Sequence, residues 1–570
     1  MAIAPKKPAK TAPADVPKKL RRVGLFETSQ NTQIVPARGL LQGINDIGQF
    51  IVKMKKHVKM GEKPEVEWII DQICNHCGGK LQHNKGLATC PYCQWSLHIE
   101  SLTYQNGIAK KPLKCRVEGR SLVVDTSIDL SNPYQSSFKG DFKVRYLNHA
   151  CLYIEAGGVS LITDPWLLGP SFLGSGYLEK ASCKEAVHLL VKADFIFISS
   201  NRSSCLHPQT LAFVSKTKPF IVPNFAAKSV EKSLQSLGFK NVHPLEFQQI
   251  YEFGSFFQFS VFAPADGTEE SGLYLCLSGH DVIVNAYGGY LNSFNLPSDL
   301  TLLCTAFSGG TSGFPFCINN YDEATQKRLH ANHLEGFKRQ LETLIETTKP
   351  AYVMPIATPY NQEAERDGTI KALNLKNSFK EGQQICETFS RSHRKQPTKW
   401  LIPEDSLTLE FKENDLVQWR EDIHTLKKET PQSYVDFYTK KFTYNPTELI
   451  EYLKDSGYKA KQIVTFVPMN ETFERVVAPI VQANFGTQTF RIVPVRTIIK
   501  QQEGYRTLVL KVRPEILACI VSNCLSFEEM VRGFHCRMER SPNAYEAHFW
   551  HHFSHQYIAP QPYAIELIKG

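Results

Sequence analysis

Side chains that bind soft metal ions are concentrated in one stretch of twenty residues. The first group is Cys74, His76 and Cys77, and the second group is Cys90 and Cys93. Thiolates and imidazoles at such short spacing are typical of a metal site. The sequence therefore predicts a bound metal here, and the choice of ligands decides which metal it is.

One interpretation is a structural zinc site. Cys74 and Cys77 form one Cys-x2-Cys pair, and Cys90 and Cys93 form a second pair after twelve intervening residues. Two such pairs place four thiolates around one tetrahedral ion, and sites of this kind are closed to substrate. Zinc would then hold a small domain together and take no part in a reaction.

The other interpretation is an iron–sulfur centre of the Rieske type, which binds one iron through cysteines and the other through histidines. Its ligands would be Cys74, His76, Cys90 and Cys93, with Cys93 standing where a second histidine is usual. A thiolate in place of a neutral imidazole adds negative charge, so we expect a 2Fe-2S cluster of lowered reduction potential. The residues alone leave both interpretations open.

Composition indicates a large protein that needs neither disulfides nor a membrane. With 570 residues, 42% of them hydrophobic, the chain can bury several cores. It has no run of eighteen apolar residues and no apolar signal-peptide segment, so we expect a soluble cytoplasmic protein. Most of the fifteen cysteines are scattered singly, as expected for buried thiols in a reducing compartment.

The net charge of +9 is concentrated at the N-terminus. Residues 1–22 carry seven Lys or Arg against one Asp and are rich in Ala and Pro. Such a segment buries little apolar surface and is predicted to be a disordered basic tail. Because the remaining chain is close to neutral, we do not expect a nucleic-acid-binding protein.

Changes in sequence pattern divide the rest of the chain. We predict a Rieske- or rubredoxin-like β domain at 23–125, a central α/β domain at 140–400 and an α+β accessory domain at 401–570. The central domain contains segments with strand character and one long segment with helical character. The strand segments are 142–154, 159–166 and 193–200, and the helical one is 323–348.

Several motifs of the central and C-terminal parts resemble the CMP-N-acetylneuraminate hydroxylase family. They are Asn148-His149-Ala150, Asp164-Pro165-Trp166, the glycine-rich run 306–315, and the segments 533–545 and 549–553. Members of that family join a Rieske domain to a metallo-β-lactamase-like αββα sandwich, in the order predicted here. The resemblance spans roughly residues 40–555 and favours the iron–sulfur interpretation.

The resemblance implies an oxidoreductase of the monooxygenase kind. In the family, a small carrier such as a ferredoxin or cytochrome b5 supplies electrons, which pass through the cluster to an O2-activating iron. By the same resemblance, the C-terminal domain would serve packing or homodimer contacts. The glycine-rich loop 309–313 either binds phosphate through backbone N–H groups or forms a tight turn.

The central metal site departs from the family pattern. The fold carries His-x-His-x-Asp-His after the strand at 193–200, and the matching positions here are Ser200, Arg202, Ser204 and Cys205. Tyr287 stands where a bridging aspartate is expected, and Asp266 falls near the position of another histidine. A guanidinium is a permanent cation that repels a metal ion. We therefore predict no working dinuclear site and no hydrolase activity.

The remaining polar residues of this region have alternative roles. His149, Asp164 and His207 are the neighbours that could replace the missing ligands. Ser200 and Arg202 could bind an anionic small molecule such as a phosphate or carboxylate, or Arg202 could be held in an ion pair. Two groups of histidines are predicted to be non-ligating: His330 and His333 on a solvent-facing helix surface, and His548, His551, His552 and His555 in packing or a partner contact.

Two functions of different classes follow. The first is a Rieske-type redox protein related to sugar-nucleotide hydroxylases, without a standard dinuclear site. The second is a non-catalytic binding or assembly protein with a structural four-cysteine zinc site and a pseudo-β-lactamase scaffold.

Overall fold

A computed structural model gives the fold. It describes residues 21–25, 32–37, 40–47, 50–56, 63–72, 74, 80–84, 86–91, 94–104, 110, 112–113, 115–118, 121–125, 128–129, 139–253, 256–262, 268–286, 294–310, 312–357, 359–403, 407–412, 415–419, 425 and 430–560. Of the predicted basic tail, Arg21 and Arg22 fall within these ranges. In this part of the chain no helix is both long and apolar enough to cross a bilayer.

The N-terminal part is built from short strands. They are β1 (Arg21–Leu25), β2 (Thr32–Pro36), β3 (Gly43–Asp46), β4 (Phe50–Met54), β5 (Val66–Asp71), β6 (Gln82–Asn84), β7 (Leu87–Thr89), β8 (Ser96–His98), β9 (Thr103–Tyr104), β10 (Cys115–Glu118), β11 (Ser121–Asp125) and β12 (Ile128–Asp129). Three antiparallel sheets result, in the orders β3-β4-β5, β6-β7-β8-β9 and β10-β11-β2.

The central part contains two eight-stranded sheets. The first has the order β19-β18-β17-β15-β14-β13-β29-β30. Its strands are β13 (Phe142–Asn148), β14 (Cys151–Ala156), β15 (Val159–Thr163), β17 (Phe195–Phe197), β18 (Phe220–Pro223), β19 (Val242–Leu245), β29 (Thr408–Lys412) and β30 (Asp415–Trp419). From β15 to β19 the strands are parallel, and β17 and β18 are buried along their whole length. Continuous apolar runs are typical of parallel strands covered on both faces.

The second central sheet has the order β1-β20-β21-β22-β23-β25-β26-β28. Its further strands are β20 (Gln249–Glu252), β21 (Phe257–Val261), β22 (Leu273–Leu277), β23 (His280–Asn285), β25 (Leu302–Ala306), β26 (Tyr352–Ile356) and β28 (Lys399–Trp400). Two minor pairs join β16 (Gly176–Leu178) to β27 (Tyr360–Gln362), and β12 to β24 (Phe294–Asn295).

Helices of the central part pack mostly on the two sheets, and the one at 368–373 joins the C-terminal core through Ile370. They are α1 (Lys184–Lys192), α2 (Pro208–Leu211), α3 (Ser229–Ser236), α4 (Glu323–Thr348), α5 (Gly368–Leu373) and α6 (Phe379–Ser392), with a 3-10 turn at Glu365–Asp367. Leucines of α1 and α3 join the core of the first sheet, and Leu341 and Leu344 of α4 pack with Cys386 of α6 on the second. The two sheets share one core, in which Phe195 stacks on Phe253 at 3.7 Å. Helix, sheet, sheet and helix therefore follow one another, as predicted for the central domain.

The C-terminal part is a five-stranded sheet with helices. Its elements are α7 (Pro431–Lys441), α8 (Pro446–Asp455), β31 (Gln462–Pro468), β32 (Ile480–Asn484), β33 (Thr489–Val493), a 3-10 turn (Val495–Thr497), β34 (Arg506–Val512), α9 (Pro514–Asn523), α10 (Glu528–Arg532), β35 (Cys536–Ser541), α11 (Ala547–His551) and a π-helical turn (His552–Gln556). The strand order is β33-β32-β31-β34-β35. The predicted α+β character of this part is confirmed.

The domain limits stay a prediction. The strand β1 pairs with β20 of the second central sheet, and β29 pairs with β13 of the first although it lies after residue 400. Each of the two central sheets thus includes a strand from a segment that the sequence pattern assigns to a neighbouring domain.

The predicted single strand at 142–154 is wrong. The chain reverses at His149, which has a positive φ of 47°, and β13 then pairs antiparallel with β14. Asn148 stabilises the reversal, because its side-chain oxygen accepts the N–H of His149 and its amide donates to Ser182. Asparagine is a common turn residue for this reason. The predicted helix at 323–348 is confirmed with the same limits.

Gly382 on α6 tests the packing of the helical layer. A Cβ at this position would lie 2.3 Å from Cη2 of Trp400, and the rigid indole has little room to move. We expect Gly382→Ala to cost about 1–3 kcal/mol of unfolding free energy, despite the better helix propensity of alanine. Urea unfolding followed by circular dichroism measures the change.

Gly368, the first residue of α5, is the matched control because nothing lies within 4 Å of its Cβ position. Gly368→Ala should be neutral or stabilise the fold by up to about 1 kcal/mol. Equal effects of the two substitutions would contradict the packing described here.

Candidate functional site

Two of the predicted metal ligands, Cys74 and Cys90, lie in the same small hydrophobic cluster. Both side chains are fully buried, and Leu81, Ala88 and Leu97 belong to the same cluster. Free cysteines this deeply buried behave as apolar residues unless a metal draws off the proton. The structure thus brings one cysteine of each predicted pair into a common core.

Each cysteine lies at the base of a short closed loop. In the first loop, the N–H of Leu81 donates to the carbonyl of Gln72 at 2.7 Å. In the second, the N–H of Gln94 donates to the carbonyl of Cys90 at 3.0 Å, and the N–H of Cys90 donates to the carbonyl of Trp95 at 2.8 Å. Gln94 adopts a positive φ of 61°, which closes this turn tightly. The described ends of both segments are therefore fixed by backbone hydrogen bonds around one core.

The donor set fits either metal interpretation. His76, Cys77 and Cys93 lie outside the described residues, so the structure brings together Cys74 and Cys90 and leaves the other ligands as predictions. Among the residues that are described, no three His, Cys, Asp or Glu side chains form a metal-binding group. Two buried thiols in one core suit a zinc ion and a 2Fe-2S cluster equally.

The second loop contacts the central part through an aromatic pair. Trp95 stacks on His333 of α4, with ring centroids 5.9 Å apart and ring planes 6° from parallel. The interpretation of His330 and His333 as solvent-facing is therefore wrong, since both side chains are buried. Burial lowers the pKa of His333 to about 3, so its ring is neutral. The helix face that carries these histidines packs on two other segments. His333 contacts Trp95 of the N-terminal part, and Nε2 of His330 donates a hydrogen bond to the carbonyl of Leu375.

A buried carboxyl group that directly follows β15, Asp164, anchors the loop after β17. The N–H and Oγ of Ser199 donate to the two carboxyl oxygens of Asp164 at 2.7 and 2.8 Å. Complete burial nevertheless raises the pKa of Asp164 to about 7, and the bonds from Ser199 offset only part of that effect. The two hydrogen bonds from Ser199 to Asp164 therefore hold this loop in place.

Four charged side chains meet beside the loop after β17; Arg202 and Glu270 are buried, and Glu528 and Arg532 are mostly buried, with 15% of each side chain exposed. Arg202 contacts Glu270 directly, and its Nε lies 3.7 Å from Oε2 of Glu528. Arg532 closes the ring, because its guanidinium lies 3.0 Å from Glu528 and 3.5 Å from Glu270. We call Arg202, Glu270, Arg532 and Glu528 the charge ring. Its two cations and two anions compensate one another inside the protein.

The charge ring joins two distant parts of the chain. Arg202 and Glu270 belong to the central part, whereas Glu528 and Arg532 form one face of α10. Next to the ring, Ser203 donates through its N–H and its Oγ to Glu529 at 3.0 and 2.6 Å. Burial alone would raise the pKa of Glu528, but Arg532 and Arg202 hold it at about 2. The helix α10 is therefore fixed over the loop that carries metal ligands in the predicted fold.

The side chains at this position do not fit a dinuclear metal site. The backbone of Ser200 forms an isolated antiparallel β-bridge with that of Glu270. Arg202 presents a cation where a metal ligand would be needed. Burial raises the pKa of the Cys205 thiol well above its ordinary value, and its sulfur lies 3.8 Å from the hydroxyl of Ser199. Of the two roles left open for Arg202, the structure shows the ion pair, and the side chain is buried instead of lying at the surface. Asp266 and Tyr287 lie outside the described residues.

The three neighbours that could have replaced the missing ligands have other roles. His207 caps α2, since its Nδ1 accepts the N–H of Thr210 at 3.2 Å and its Nε2 donates to the carbonyl of Pro170. Burial lowers the pKa of His207 to about 4. His149 packs edge-on against Trp166 at 4.9 Å. Together with Asp164, which is bonded to Ser199, these residues support the loop and do not converge on one point.

The C-terminal histidines pack among aromatic rings. His548 and His552 both lie within about 5 Å of the ring of Tyr458. His552 also bonds through Nε2 to the carbonyl of Ser456, and the ring centroids of His551 and His555 lie 5.3 Å apart. The interpretation of these residues as packing groups agrees with their positions.

Sequence reasoning missed three members of the charge ring. Glu528 and Arg532 stand four residues apart on a short helical segment, and this spacing was the one signal available. Nothing in the local sequence links that pair to Arg202 or Glu270, because the four residues meet only through tertiary folding.

Comparison with known proteins supports the resemblance drawn from the motifs. No family model matches the chain. It is 23% identical over 521 residues to the cytidine monophosphate-N-acetylneuraminic acid hydroxylase of Xenopus laevis, covering 84% of this chain and 86% of that protein. The enzyme of the same name from Cricetulus griseus is 21% identical over 547 residues, covering 88% and 92%.

Solved structures match about half of the chain. A diiron beta-hydroxylase from Streptomyces venezuelae, CmlA, is 10% identical and covers 48% of this chain and 54% of that one, with a TM-score of 0.31. The metallo-beta-lactamase fold protein YhfI from Bacillus subtilis is 12% identical and covers 48% and 100%, with a TM-score of 0.29.

The sequence likeness runs along most of both chains. A mixed α/β protein with a central two-sheet sandwich is the class that the fold defines. Within that class, the predicted resemblance to the CMP-N-acetylneuraminic acid hydroxylases is confirmed.

Removal of one charge tests the charge ring. Arg202→Met should cost about 3–5 kcal/mol of unfolding free energy, because it leaves buried carboxylates without one of their two cations. The double variant Arg202→Met/Glu270→Leu should recover most of this loss, since Arg532 and Glu528 remain as a balanced pair at 3.0 Å. Urea unfolding of the wild type, both single variants and the double variant gives the coupling energy. Additive effects would contradict a closed ring, and the exposed Arg491→Met is the control.

The raised pKa of Asp164 predicts a pH dependence of stability. Between its ordinary value of 3.8 and about 7, the folded carboxyl stays protonated while the unfolded one ionises. Its contribution to folding therefore falls as pH rises through this window, by up to roughly 4 kcal/mol. Asp164→Asn is neutral throughout, so its unfolding free energy should rise relative to wild type between pH 4 and pH 7. Urea midpoints at four pH values measure this difference, and Asp415→Asn at an exposed position is the control. Parallel pH curves for wild type and Asp164→Asn would contradict the raised pKa of Asp164.

Proposed function

We propose that this chain is an iron–sulfur redox protein related to the CMP-N-acetylneuraminic acid hydroxylases. Its 2Fe-2S cluster would be held by Cys74, His76, Cys90 and Cys93. The observation that carries the proposal is the burial of Cys74 and Cys90 in one small core, each at the base of a closed loop. Similarity to hydroxylases over 84% of the chain supports an oxidoreductase-related role.

The described residues around this centre have defined tasks. The apolar cluster around Cys74 and Cys90 excludes water from the two thiols. Trp95 fixes the second loop against the neutral ring of His333 and so joins the centre to α4. A bound cluster would supply one-electron transfer. Cys93 in place of a histidine would lower its potential, and the electron donor would be a small ferredoxin or cytochrome b5-like protein.

No chemical step is assigned to the central part. The charge ring leaves no set of metal ligands there, so the proposal includes no oxygen activation at the position used by the family. Ser200 and Arg202 are likewise not proposed to bind an external anion, because Glu270 and Glu528 already neutralise the arginine.

A second function is favoured by the same charge ring. If zinc occupies Cys74, Cys77, Cys90 and Cys93, the chain is a non-catalytic binding or assembly protein. Its central part would then be a scaffold whose metal site has been replaced by ion pairs. This alternative differs from the first in the identity of the metal and in one ligand.

The identity of the metal decides between the two functions. Protein purified without oxygen should be brown, contain about two iron atoms per chain and bleach on addition of dithionite if the cluster is present. Colourless protein with about one zinc and no iron per chain would contradict the redox function and support the scaffold.

Two adjacent substitutions separate the ligand sets. In the iron–sulfur centre His76 is a ligand and Cys77 is not, so His76→Ala should remove the visible absorbance and Cys77→Ala should leave it. In the zinc site the outcome is reversed, and Cys77→Ala should lose the metal while His76→Ala keeps it. Metal content per folded chain, with circular dichroism as the control for folding, measures both variants. Retention of full metal content by both would refute the two ligand sets alike.

A further inference from the structure

Two buried cysteines from distant segments of the chain meet beside the glycine-rich loop. Cys317 follows that loop in the central part, and Cys536 is the first residue of β35 in the C-terminal part. Both side chains are fully buried and belong to the same hydrophobic core. The thiol of Cys536 donates a hydrogen bond to the sulfur of Cys317. The two sulfurs are therefore direct neighbours.

Backbone hydrogen bonds fix the positions of both cysteines. The N–H of Cys317 donates to the carbonyl of Gly313 at 2.7 Å, and the carbonyl of Cys317 accepts the N–H of Met538 at 2.7 Å. Cys536 is paired with Val512 in the antiparallel register of β34 and β35. Two side chains whose backbones are held in this way stay next to each other.

The surroundings of Cys317 favour its thiolate. The hydrogen bond from Cys536 lowers the pKa of the Cys317 thiol against the opposing effect of burial, and the guanidinium groups of Arg537 and Arg513 act in the same direction as the hydrogen bond. That hydrogen bond and burial raise the pKa of Cys536 well above its ordinary value, so Cys536 keeps its proton. The thiolate is the nucleophilic form of cysteine, and nearby cations increase its share.

A cavity of about 90 Å³ lies against Cys317, between the segments 312–318 and 528–550. The sulfur of Cys317 lies 3.6 Å from the carbonyl oxygen of Val531, and a Cβ on Gly313 would lie 3.0 Å from the same sulfur. Both of these residues line the cavity. Ser312 and Tyr545 of the lining are partly exposed, so the cavity adjoins the surface. Its volume holds molecules of the size of water, and hydrogen peroxide therefore fits.

Other buried cysteines have different surroundings. Cys304 and Cys519 are as fully buried as Cys317, and Cys519 belongs to the same core. Burial is the main influence on both thiols and raises the pKa of each. These two residues therefore separate the effect of burial from the effect of a neighbouring thiol and nearby cations.

We propose that Cys317 and Cys536 form a reversible disulfide when the protein meets a peroxide. The sulfur of Cys317 bonds to one oxygen of hydrogen peroxide, the O–O bond breaks, and the other oxygen leaves as hydroxide, which takes up a proton to become water. The sulfur of Cys536 then attacks that of Cys317, the S–O bond breaks, and the hydroxyl group leaves as water with the proton of Cys536. The two cysteines lose two electrons, and the peroxide is reduced to two waters.

The disulfide joins the central and C-terminal parts covalently beside α10. A small dithiol reverses it by thiol–disulfide exchange, so the modification follows the redox state of the surroundings. The proposal does not depend on which metal Cys74 and Cys90 hold, because it uses neither of these residues.

Peptide mapping of the wild-type protein tests the proposal. The full chain is treated with hydrogen peroxide at pH 7, its remaining thiols are blocked under denaturing conditions, and the protein is digested without reductant for mass spectrometry. We expect a peptide pair joined through Cys317 and Cys536 that dithiothreitol separates, while Cys304 and Cys519 stay thiols. Cys317 should be oxidised at least about tenfold faster than Cys519, since one pKa unit changes the thiolate share about tenfold. The mapping also distinguishes this reaction from oxidation at Cys74 and Cys90.

Two variants separate the two steps. In Cys536→Ser, Cys317 has no thiol to resolve its sulfenic acid, so dimedone should label Cys317 and no joined peptide should form. In Cys317→Ser, Cys536 should stay a thiol because the attacking sulfur is absent. Cys524→Ser, at a half-buried position of the C-terminal part, is the control and should form the disulfide like the wild type.

The mapping of the wild type decides the matter even if a variant does not fold. The proposal is overturned if Cys317 and Cys536 both stay thiols, if Cys317 and Cys519 are oxidised at equal rates, or if Cys317 is joined to a different cysteine.

Discussion

Two arginines and two carboxylates hold the central and C-terminal parts of this protein together. Arg202 and Glu270 are buried, Arg532 and Glu528 are mostly buried, and each guanidinium contacts both carboxylates. A buried charge is tolerated only when opposite charges compensate it. The four residues therefore have to stay together, and this requirement fixes α10 over the loop after β17. The same helix supplies Glu529 to Ser203, so the contact between the central and C-terminal parts is polar at its centre.

The two regions that carry chemistry in the predicted family have different environments in this protein. In the central part, ion pairs replace ligands, and Asp164 and His207 support the backbone. In the N-terminal part, Cys74 and Cys90 keep a buried, apolar environment suited to a metal. The stack of Trp95 on His333 joins that environment to the longest helix of the central part. Similarity to hydroxylases covers 84% of this chain.

The position of α10 has a further consequence for the surface between the parts. Arg532 belongs to the charge ring and also lines the cavity beside Arg540 and Trp550. The close approach of Gly313 to Val531 requires that α10 and the glycine-rich loop remain in register. A small, closely packed cavity lined by Gly313, Val531 and Arg532 is thus a by-product of the packing that places α10 over the loop after β17. The motifs at 306–315 and 533–545 meet at this place and account for part of the resemblance noted from sequence.

The sequence by itself determined the features that depend on local pattern. The helix at 323–348 follows from the spacing of its apolar residues and from Asp322 immediately before its start. The loss of imidazole and carboxylate ligands at Ser200 and Arg202 could also be read directly, because ligand chemistry belongs to single residues. The tertiary structure decided which side chains pack against Ser200 and Arg202, where the family carries metal ligands. Glu270, Glu528 and Arg532 come from remote segments, and a buried ion pair depends on distances that no local pattern contains. The burial of His330 and His333 was decided in the same way, since the outward face of a helix is defined only by what packs against it.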